Sequence, residues 1–519
     1  MSQFVQPGNR GGKKITLINP PFNFSSKDKV ILSECMGILS IAAALIEFGK
    51  HEVTVIDALF EGRSNTARLG DKWWRVGLSD RETLARIPGD TDLIGLSVPF
   101  SQMAPECHRL AGKIKAALPS VPLVMGGVHP STQPELAISS AADYLVIGEG
   151  EFTLLRLLEY LDDRLRILPP GVVVADPVYG PESECSPTDV KGEYVDDLDV
   201  LPKPARHLLP FGDYCSASQR GGSRGRITAS IITSRGCPYR CNFCSVHPVC
   251  GYKWRRRSPR LVLEEIDYLV EDYGVNHIEF DDDNFTIDKD RTLEILEGIV
   301  ERNARPGSAQ IYWSTPNGLR IDALDDGFMA LASRSNCLSL TLALEHGDEE
   351  MLKLMNKRLD LSKAVEMVKL IRKYDIECYV FVIFGYPGET RERFENGLRF
   401  YSRLKEIAPA IRFHCLVAQP YPGTNLYKLC LEEGYLPAHS YSSIDSMFRF
   451  SAVDGFFIRT PDFDERELRR RKKVLHKTLV PRGERLREKL KSMIPDAVKP
   501  YVRGAYRASK SLIASRGKS

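Results

Sequence analysis

Three cysteines in one short stretch are the residues in this chain best suited to chemistry. Cys237, Cys241 and Cys244 stand at a CxxxCxxC spacing, directly after the apolar, β-branched run of residues 229–233. The run predicts a strand that ends in a compact loop of thiols, and thiolates bind zinc or iron–sulfur clusters. A structural zinc ion takes four ligands, with Cys250 as the available fourth. A four-iron cluster can use three cysteines and leave one iron open, and the spacing favours this cluster.

Two runs of alternating strands and helices must position this loop. Residues 14–161 alternate short apolar strands with helices, which predicts parallel βαβ units and a doubly wound, Rossmann-like α/β sheet. From Thr228 to Val417 the alternation resumes as six strand–helix units, which predicts an open, partial (β/α)6 TIM-like barrel. In both folds, ligands lie over the carboxyl ends of the strands.

The loops at the strand ends of the first run predict a cofactor pocket. Glycines there let a large planar or phosphate-bearing ligand approach the backbone, and helix N-termini suit its anionic part. These features leave nucleotide, flavin and cobalamin open, as well as a domain with ordinary glycine turns. The candidate residues are Asn19, Pro20, Ser97, Ser101, Gln102, Gly126, Gly127, His129, Ser131, Gly148, Glu149 and Gly150.

Polar residues also stand at the strand ends of the second run. Glu345 ends an apolar strand, and a buried carboxylate there requires a cationic partner. Asp282 lies in an acidic run after another strand, and Gly385 and Pro387 lie in a turn after a third. That turn has an alternative explanation as a tight strand–helix connection.

The cysteine motif, with Phe243 just before its last cysteine, resembles that of the radical S-adenosylmethionine (SAM) enzymes. The whole chain resembles the branch of that family with an N-terminal cobalamin-binding domain. The resemblance implies that Cys237, Cys241 and Cys244 hold a [4Fe–4S] cluster whose fourth iron binds SAM. It also implies that Glu345 holds the SAM amino group, and that the glycine loops line the corrinoid site. Asp282, Gly385 and Pro387 would complete the SAM site.

The sequence departs from family patterns at two places. Residues 281–284 read Asp-Asp-Asp-Asn where the radical SAM pattern often has Gly-Gly-Glu, so the role of Asp282 is loosely assigned. The Asp-x-His-x-x-Gly pattern of proteins that bind cobalt through histidine is missing, and His129 follows Gly-Gly-Val instead. We therefore do not expect His129 to be a cobalt ligand.

The activity that the resemblance implies is C-methylation by a methyltransferase. The cluster would cleave SAM to a 5′-deoxyadenosyl radical, which takes hydrogen from an unactivated substrate carbon, and methylcobalamin would supply the methyl group. The alternatives are a cobalamin-dependent cyclase or rearrangement enzyme, and a non-enzymatic corrinoid or iron–sulfur sensor. The substrate would be a small molecule or a lipid, and an external electron donor of the flavodoxin or ferredoxin type is expected.

The composition is that of a globular chain with several domains. It has 519 residues, of which 43% are hydrophobic, and no apolar run reaches the length of a membrane span. Twelve cysteines without dense pairing fit a reducing cytoplasm. We predict a cobalamin-binding domain at residues 1–165, a linker at 166–226, a radical SAM barrel at 227–435 and a C-terminal extension at 436–519.

The C-terminal extension differs from the rest of the chain in charge. From Leu468 to Ser519 it carries 17 Lys and Arg against 3 Asp and Glu, although the whole chain has a net charge of only +3. Leucines at helical spacing predict basic amphipathic helices. Three uses remain open: a helix packed on the barrel, a lid that attracts an anionic substrate, and peripheral contact with an anionic membrane. Nucleic-acid binding is not expected, because few aromatic residues accompany the charge.

Overall fold

The computed structural model describes residues 12–24, 30, 32–69, 73–175, 190–217, 226–437 and 455–486. The Gly/Arg-rich run at 220–225 and the tail predicted to be helical beyond residue 486 lie outside this part. The N-terminal strands are β1 (Lys14–Asn19), β2 (Phe22–Phe24), β3 (Glu52–Asp57), β4 (Thr66–Leu69), β5 (Trp73–Val76), β6 (Leu93–Ser97), β7 (Leu123–Gly126), β8 (Tyr144–Val146) and β9 (Val172–Val174). The remaining strands are β10 (Thr228–Ile231), β11 (Ser234–Arg235), β12 (Arg255–Arg256), β13 (His277–Phe280), β14 (Tyr312–Leu319), β15 (Cys337–Glu345), β16 (Glu377–Phe384) and β17 (Arg412–Val417).

Seventeen α-helices accompany these strands in the described part of the chain. The N-terminal helices are α1 (Met36–Gly49), α2 (Ala58–Glu61), α3 (Asp80–Leu84), α4 (Ala104–Ala117), α5 (Val128–Thr132), α6 (Pro134–Ala137), α7 (Gly150–Leu161) and α8 (Phe211–Ala217). The others are α9 (Val246–Cys250), α10 (Pro259–Tyr273), α11 (Lys289–Ala304), α12 (Asp326–Arg334), α13 (Glu349–Leu354), α14 (Leu361–Tyr374), α15 (Arg391–Ile407), α16 (Asn425–Glu432) and α17 (Glu465–Leu479).

The N-terminal half forms the doubly wound sheet that the sequence predicts. Its strand order is β3-β1-β6-β7-β8-β9, with β1, β3, β6, β7 and β8 parallel. The register between β1 and β3 pairs Asn19 with Asp57 at their carboxyl ends. Since β1 lies at the centre of the order reversal, the loops after β1, β6, β7 and β8 meet at one edge, where such sheets bind ligands.

The C-terminal half forms the predicted open barrel. Its six strands are all parallel and follow the order β10-β13-β14-β15-β16-β17. Short polar side chains cap most of the helices that follow, as Thr390 does when it accepts from the Arg393 amide at the start of α15. Apolar residues of both halves belong to one continuous core, which includes Leu39 of α1 and Trp313 of β14. The predicted fold class is therefore confirmed.

Two antiparallel features were not predicted. The short strands β2, β5 and β4 form a separate sheet, and β9 pairs antiparallel with β8. Each of these strands is only three or four residues long, too short to give a periodic pattern. Because β9 lies within residues 166–226, part of the predicted linker completes the N-terminal sheet, and the domain boundaries stay a prediction.

The C-terminal helix α17 packs on the barrel. Leu468 and Leu475 are buried beneath it, and Arg471 in its basic face is almost fully buried as well. Within the described residues, no helix is both long and apolar enough to cross a bilayer. Of the three uses left open for the basic extension, packing on the barrel is therefore the one observed for α17.

Candidate functional site

The cysteine loop is held in place by backbone hydrogen bonds from several elements. The Gly236 amide donates to Asp283 Oδ2 at 2.8 Å, and Asn242 donates its backbone N–H to the carbonyl of Met355 at 3.0 Å. The Arg320 guanidinium stacks over the Tyr239 ring at 3.8 Å from its centre. These contacts fix the three thiols as a group over the carboxyl ends of the barrel strands.

The thiols of the loop are half-buried and unpaired with one another by any disulfide. Burial raises the pKa of Cys244 to about 12 and raises the pKa of Cys237 and Cys241 as well, and Lys357 opposes the shift at the latter two. Metal binding must therefore displace protons from these thiols. In the described residues, no three His, Cys, Asp or Glu side chains converge to hold a single metal ion.

Asp282 supports the root of the cysteine loop. Its carboxylate accepts from the backbone N–H of Thr233 at 2.7 Å, from the Thr233 hydroxyl at 2.9 Å, and from both the N–H and the hydroxyl of Ser234. Burial raises its pKa to about 6. Of these four hydrogen bonds, Oδ1 accepts three and Oδ2 accepts one. The structure thus gives Asp282 a bracing contact, and its direct contact with a cofactor stays a prediction. Its neighbour Asp283, which the sequence did not single out, lines the cavity described below.

Glu345 has the cationic partner that the sequence required. The Lys357 ammonium donates to Glu345 Oε1 at 3.0 Å, and both side chains are buried. Glu345 also adopts a φ of +66°, so the backbone turns sharply as β15 ends. Lys357 itself was missed by sequence reasoning, because its position in a helix-to-loop run of mixed charge carries no periodic signal.

The other residues predicted at the barrel mouth are buried in supporting positions. Phe243 packs against the apolar core, and Pro387 is buried in the turn after β16. Gly385 has a φ of +73°, and its amide donates to Glu389 Oε2 at 2.6 Å. Glu389 also accepts from Arg471 of α17 at 2.7 Å, so the C-terminal helix closes over this turn.

A cavity of about 660 Å3 lies between the N-terminal sheet edge and the cysteine loop. Eight of the twelve residues predicted for the cofactor pocket line it, namely Asn19, Ser97, Gln102, Gly126, Gly127, Gly148, Glu149 and Gly150. From the barrel side it is lined by residues that the sequence did not single out for this pocket, including Ser234, Arg235, Cys250, Asp281 and Asp283. One cavity therefore connects the predicted cofactor pocket with the barrel segment beside the cysteine loop, while none of the residues predicted for the cluster and SAM site belongs to its lining.

The other four predicted residues, Pro20, Ser101, His129 and Ser131, lie outside the lining that the described residues form. The Ser131 hydroxyl donates to the Gly127 carbonyl at 2.8 Å and accepts from the Gly148 amide at 3.0 Å, so it joins two glycine loops. His129 is fully buried, and its Nδ1 lies 3.4 Å from the Ser101 hydroxyl. Burial lowers the pKa of His129 to about 3. The imidazole is therefore neutral in the folded chain, and its relation to cobalt stays a prediction.

A buried arginine from the predicted linker joins the two halves behind the cavity. Arg206 donates to Glu34 at 3.0 Å, to Glu265 at 2.6 Å and to the Ser230 carbonyl of β10 at 2.7 Å. Since Glu34 also accepts from the Ser230 amide, the strand that leads to the cysteines is tied to the N-terminal half. The sequence alone could not pair these charges, because Arg206 and Glu34 lie 172 positions apart.

Fold and site together define an α/β protein in which a doubly wound cofactor-binding domain faces the cysteine loop of an open barrel. Residues 34–158 match the B12 binding domain family, and residues 231–401 match the radical SAM superfamily. The chain belongs to the radical SAM superfamily, in the group of enzymes that carry a B12-binding domain. The cofactors of this group are a [4Fe–4S] cluster, SAM and cobalamin.

Individual relatives cover most of the chain. Cytidylyl-2-hydroxyethylphosphonate methyltransferase of Streptomyces wedmorensis is 27% identical over 481 residues, which are 87% of this chain and 86% of the relative. The anaerobic magnesium-protoporphyrin IX monomethyl ester cyclase of Synechocystis is 28% identical over 429 residues, which are 81% of this chain and 77% of the cyclase. The solved structure of the radical SAM methyltransferase TsrM from Kitasatospora setae, with cobalamin and a [4Fe–4S] cluster bound, has a TM-score of 0.61 at 20% identity, covering 83% of this chain and 76% of that one.

The residues of the cavity fit a large cofactor. Its volume lies within the usual range for cofactor pockets. At Gly37 an added Cβ would meet nothing within 4 Å, and at Gly126 it would make only ordinary contacts, so side chains there would extend into open space. At Gly127, with a φ of +110°, a Cβ would lie 2.9 Å from the Val98 carbonyl oxygen. Glycine at these places keeps the cradle open and lets the backbone approach a ligand.

Proposed function

We propose that this enzyme is a cobalamin-dependent radical SAM C-methyltransferase. The single cavity lined both by the glycine loops of the B12-binding domain and by residues beside the cysteine loop carries the proposal. A methyl donor and a radical generator must act on the same substrate carbon, which requires two cofactor sites that open onto one space. The name of the Streptomyces wedmorensis relative supports methylation as the reaction.

The residues named above would divide the work between holding and shielding the cofactors. When bound, the cluster with SAM supplies the radical that removes hydrogen from a substrate carbon, and cobalamin supplies the methyl group. Cys237, Cys241 and Cys244 would hold the cluster. Glu345 would hold the SAM amino group, in exchange for its present partner Lys357.

The proposed cobalamin site depends mainly on the shape of the cavity wall. Gly126 and Gly127 would let the corrin approach the backbone, while Gln102 and Ser97 offer polar contacts at the same edge. The apolar parts of the lining exclude water from the space between the two cofactor sites, and radical intermediates survive only where competing reactions are excluded. The substrate of this proposal is a small molecule.

Three further parts of the proposal concern surroundings and partners. The described cysteines all carry free thiols, which supports a reducing, cytoplasmic compartment. An external one-electron donor of the flavodoxin or ferredoxin type would reduce the cluster. A peripheral membrane contact would use exposed basic residues of α17, such as Arg469, Arg470 and Lys473, because Arg471 is buried against the barrel.

Anaerobic reconstitution tests the methyltransferase directly. The full chain is loaded with iron, sulfide and methylcobalamin, reduced in the presence of SAM, and its products are analysed. Formation of both 5′-deoxyadenosine and S-adenosylhomocysteine would support methylation, because the second product reports the remethylation of cobalamin by SAM. A Cys244→Ala variant serves as the control for cluster-independent products.

A cyclase is the second candidate, favoured by the similarity to the Synechocystis cyclase. In the same experiment, 5′-deoxyadenosine without S-adenosylhomocysteine would support cyclisation or rearrangement and contradict methylation. A protein that holds both cofactors and still gives neither product with a panel of candidate substrates would contradict both enzymatic proposals.

A further inference from the structure

The arginine directly before the cysteine motif reaches out of the barrel. Arg235 precedes Gly236 and Cys237, yet its guanidinium lies against the N-terminal half. It donates to Glu151 Oε1 at 2.6 Å and lies 3.3 Å from Glu149 Oε1. The same guanidinium also approaches the Ser40 hydroxyl of α1 at 3.3 Å. One side chain therefore connects the cysteine loop to the B12-binding domain.

Both carboxylates belong to the stretch that joins β8 to the first turn of α7 and lines the cavity. Gly148, Glu149, Gly150 and Glu151 all lie on its wall. The stretch packs closely on its surroundings, because the Glu149 amide donates to the Glu193 carbonyl at 2.9 Å and a Cβ at Gly148 would lie 2.6 Å from the same oxygen. A cofactor that presses on these glycines would therefore displace the carboxylates with them.

A second arginine supports the same loop from the neighbouring strand. In the two-stranded ribbon of β11 and β12, Arg235 pairs with Arg255. Arg255 donates to Glu149 Oε2 at 2.7 Å and to the Val195 carbonyl at 2.7 Å. One arginine from each strand of the ribbon thus contacts the same stretch of the cavity wall.

The four charges are buried, and this gives the connection its strength. The side chains of Arg235, Arg255, Glu149 and Glu151 are 17%, 1%, 9% and 4% exposed. Separating a buried ion pair leaves an uncompensated charge and is strongly unfavourable. A guanidinium fork also fixes the direction of its partners, which a lysine ammonium does not. If the two carboxylates shift, the ribbon of β11 and β12 must either move with them or resist the shift through these ion pairs.

We propose that Arg235 is a positioning residue that couples the cobalamin cavity to the cysteine loop, so that each cofactor binds more tightly when the other is present. The inference rests on the proposed cofactors, but it does not require that methyl transfer take place. Because coupling between two binding sites is reciprocal, cobalamin affinity must depend on the cluster as cluster retention depends on cobalamin.

Cobalamin titration of the full chain tests the coupling. The dissociation constant of hydroxocobalamin is measured anaerobically by absorbance, with the cluster assembled and after its removal by an iron chelator. We expect the wild type to bind roughly fivefold or more tightly with the cluster. In Arg235→Gln the two constants should agree within about twofold, because the link is lost. Arg256→Gln, on the same ribbon but exposed and paired with Asp288, is the matched control and should keep the wild-type ratio.

Two further variants protect the test against a folding defect. Arg235→Lys keeps the charge but cannot hold two carboxylates in a fixed geometry, so its ratio should fall below that of the wild type. Glu151→Gln leaves the Arg235–Glu149 pair in place and should give an intermediate ratio. The electron paramagnetic resonance spectrum of the reduced cluster should change on cobalamin addition in the wild type and not in Arg235→Gln.

The outcomes separate this inference from the proposed function. A wild type that binds both cofactors with a ratio near one, or an Arg235→Gln protein that keeps the wild-type ratio, overturns the coupling and leaves the methyltransferase untouched. A wild type that binds no cobalamin overturns both. Absence of methylated product affects only the proposed function, since the titration uses no substrate and no turnover.

Discussion

The carboxyl edges of the two parallel sheets are built from different chemistry. The edge of the N-terminal sheet presents mainly glycines, such as Gly126 and Gly127, and its carboxylates Glu149 and Glu151 are paired with arginines at one side. The edge of the barrel presents buried charges, including the Glu345–Lys357 pair and the Glu389–Arg471 pair. The N-terminal edge is open because glycines have no side chains. The barrel edge is held by buried ion pairs, and separating them is strongly unfavourable.

This difference fits the ligands that each edge would hold. A corrin is large and flat, so van der Waals contact over an open cradle can supply most of its binding free energy. SAM and a cluster are compact and charged, and they require donors and acceptors at fixed positions. Changes at the two edges should therefore differ in kind: loss of charge should damage the barrel side, and added volume should damage the B12 side.

The largest effect is expected at the cysteine loop. Cys241→Ala should lose the cluster and reduce 5′-deoxyadenosine formation to background, because two thiolates remain where three are needed. Cys250→Ala should keep both the iron and the activity. Iron and sulfide content with the visible absorbance spectrum of the reconstituted protein measures this. Equal iron loss in the two variants would support the alternative site, in which Cys250 is the fourth ligand, and contradict the proposed one.

Sequence reasoning located both edges because local patterns define them. Strand–helix alternation gives the order of β1, β6, β7 and β8, and parallel strands necessarily bring their following loops to one edge. The cysteine spacing lies within eight residues and needs no tertiary information.

The contacts between the halves could not be predicted in the same way. Arg206 and Glu34 are 172 positions apart, and Arg235 and Glu151 are 84 apart. An arginine in a loop carries no mark of the carboxylate it will meet, because the pairing is decided only when two folded surfaces meet. Lys357 was missed for the same reason, although the need for a cation near Glu345 was predictable from the cost of burying a carboxylate.

The next largest effect tests the charged edge away from the cofactors. Arg471→Met should lower the free energy of unfolding by about 3–5 kcal/mol, because Glu389 would stay buried without its guanidinium partner. Arg470→Met is the matched control one position earlier. It removes only an exposed pair with Glu467 and should cost about 0–1 kcal/mol. Urea denaturation followed by circular dichroism compares the two, and similar losses in both variants would show that burial of the α17 pair contributes nothing.

Added volume on the B12 side should weaken cobalamin binding and leave the cluster intact. Gly37→Leu would place its side chain in the open space of the cavity, since a Cβ there meets nothing within 4 Å. We expect the dissociation constant of hydroxocobalamin to rise by roughly tenfold or more, about 1.4 kcal/mol. Gly112→Leu, in α4 and equally free of neighbours, is the control for a helical glycine away from the cavity. Unchanged affinity in Gly37→Leu would mean that the corrin lies elsewhere.

The smallest effect concerns the buried histidine behind the glycine loops. Burial lowers the pKa of His129 to about 3, so between pH 7 and 5.5 the unfolded chain takes up a proton that the folded chain does not. Stability is therefore lost as pH falls, by about 1.3 kcal/mol over this interval for an unfolded pKa near 6.5. His129→Leu should remove that part of the pH dependence, whereas a change at the exposed His207, to Gln, should leave it. Urea midpoints at the two pH values measure the slope, and an unaltered slope in His129→Leu would indicate that the imidazole is accessible and open to a ligand after all.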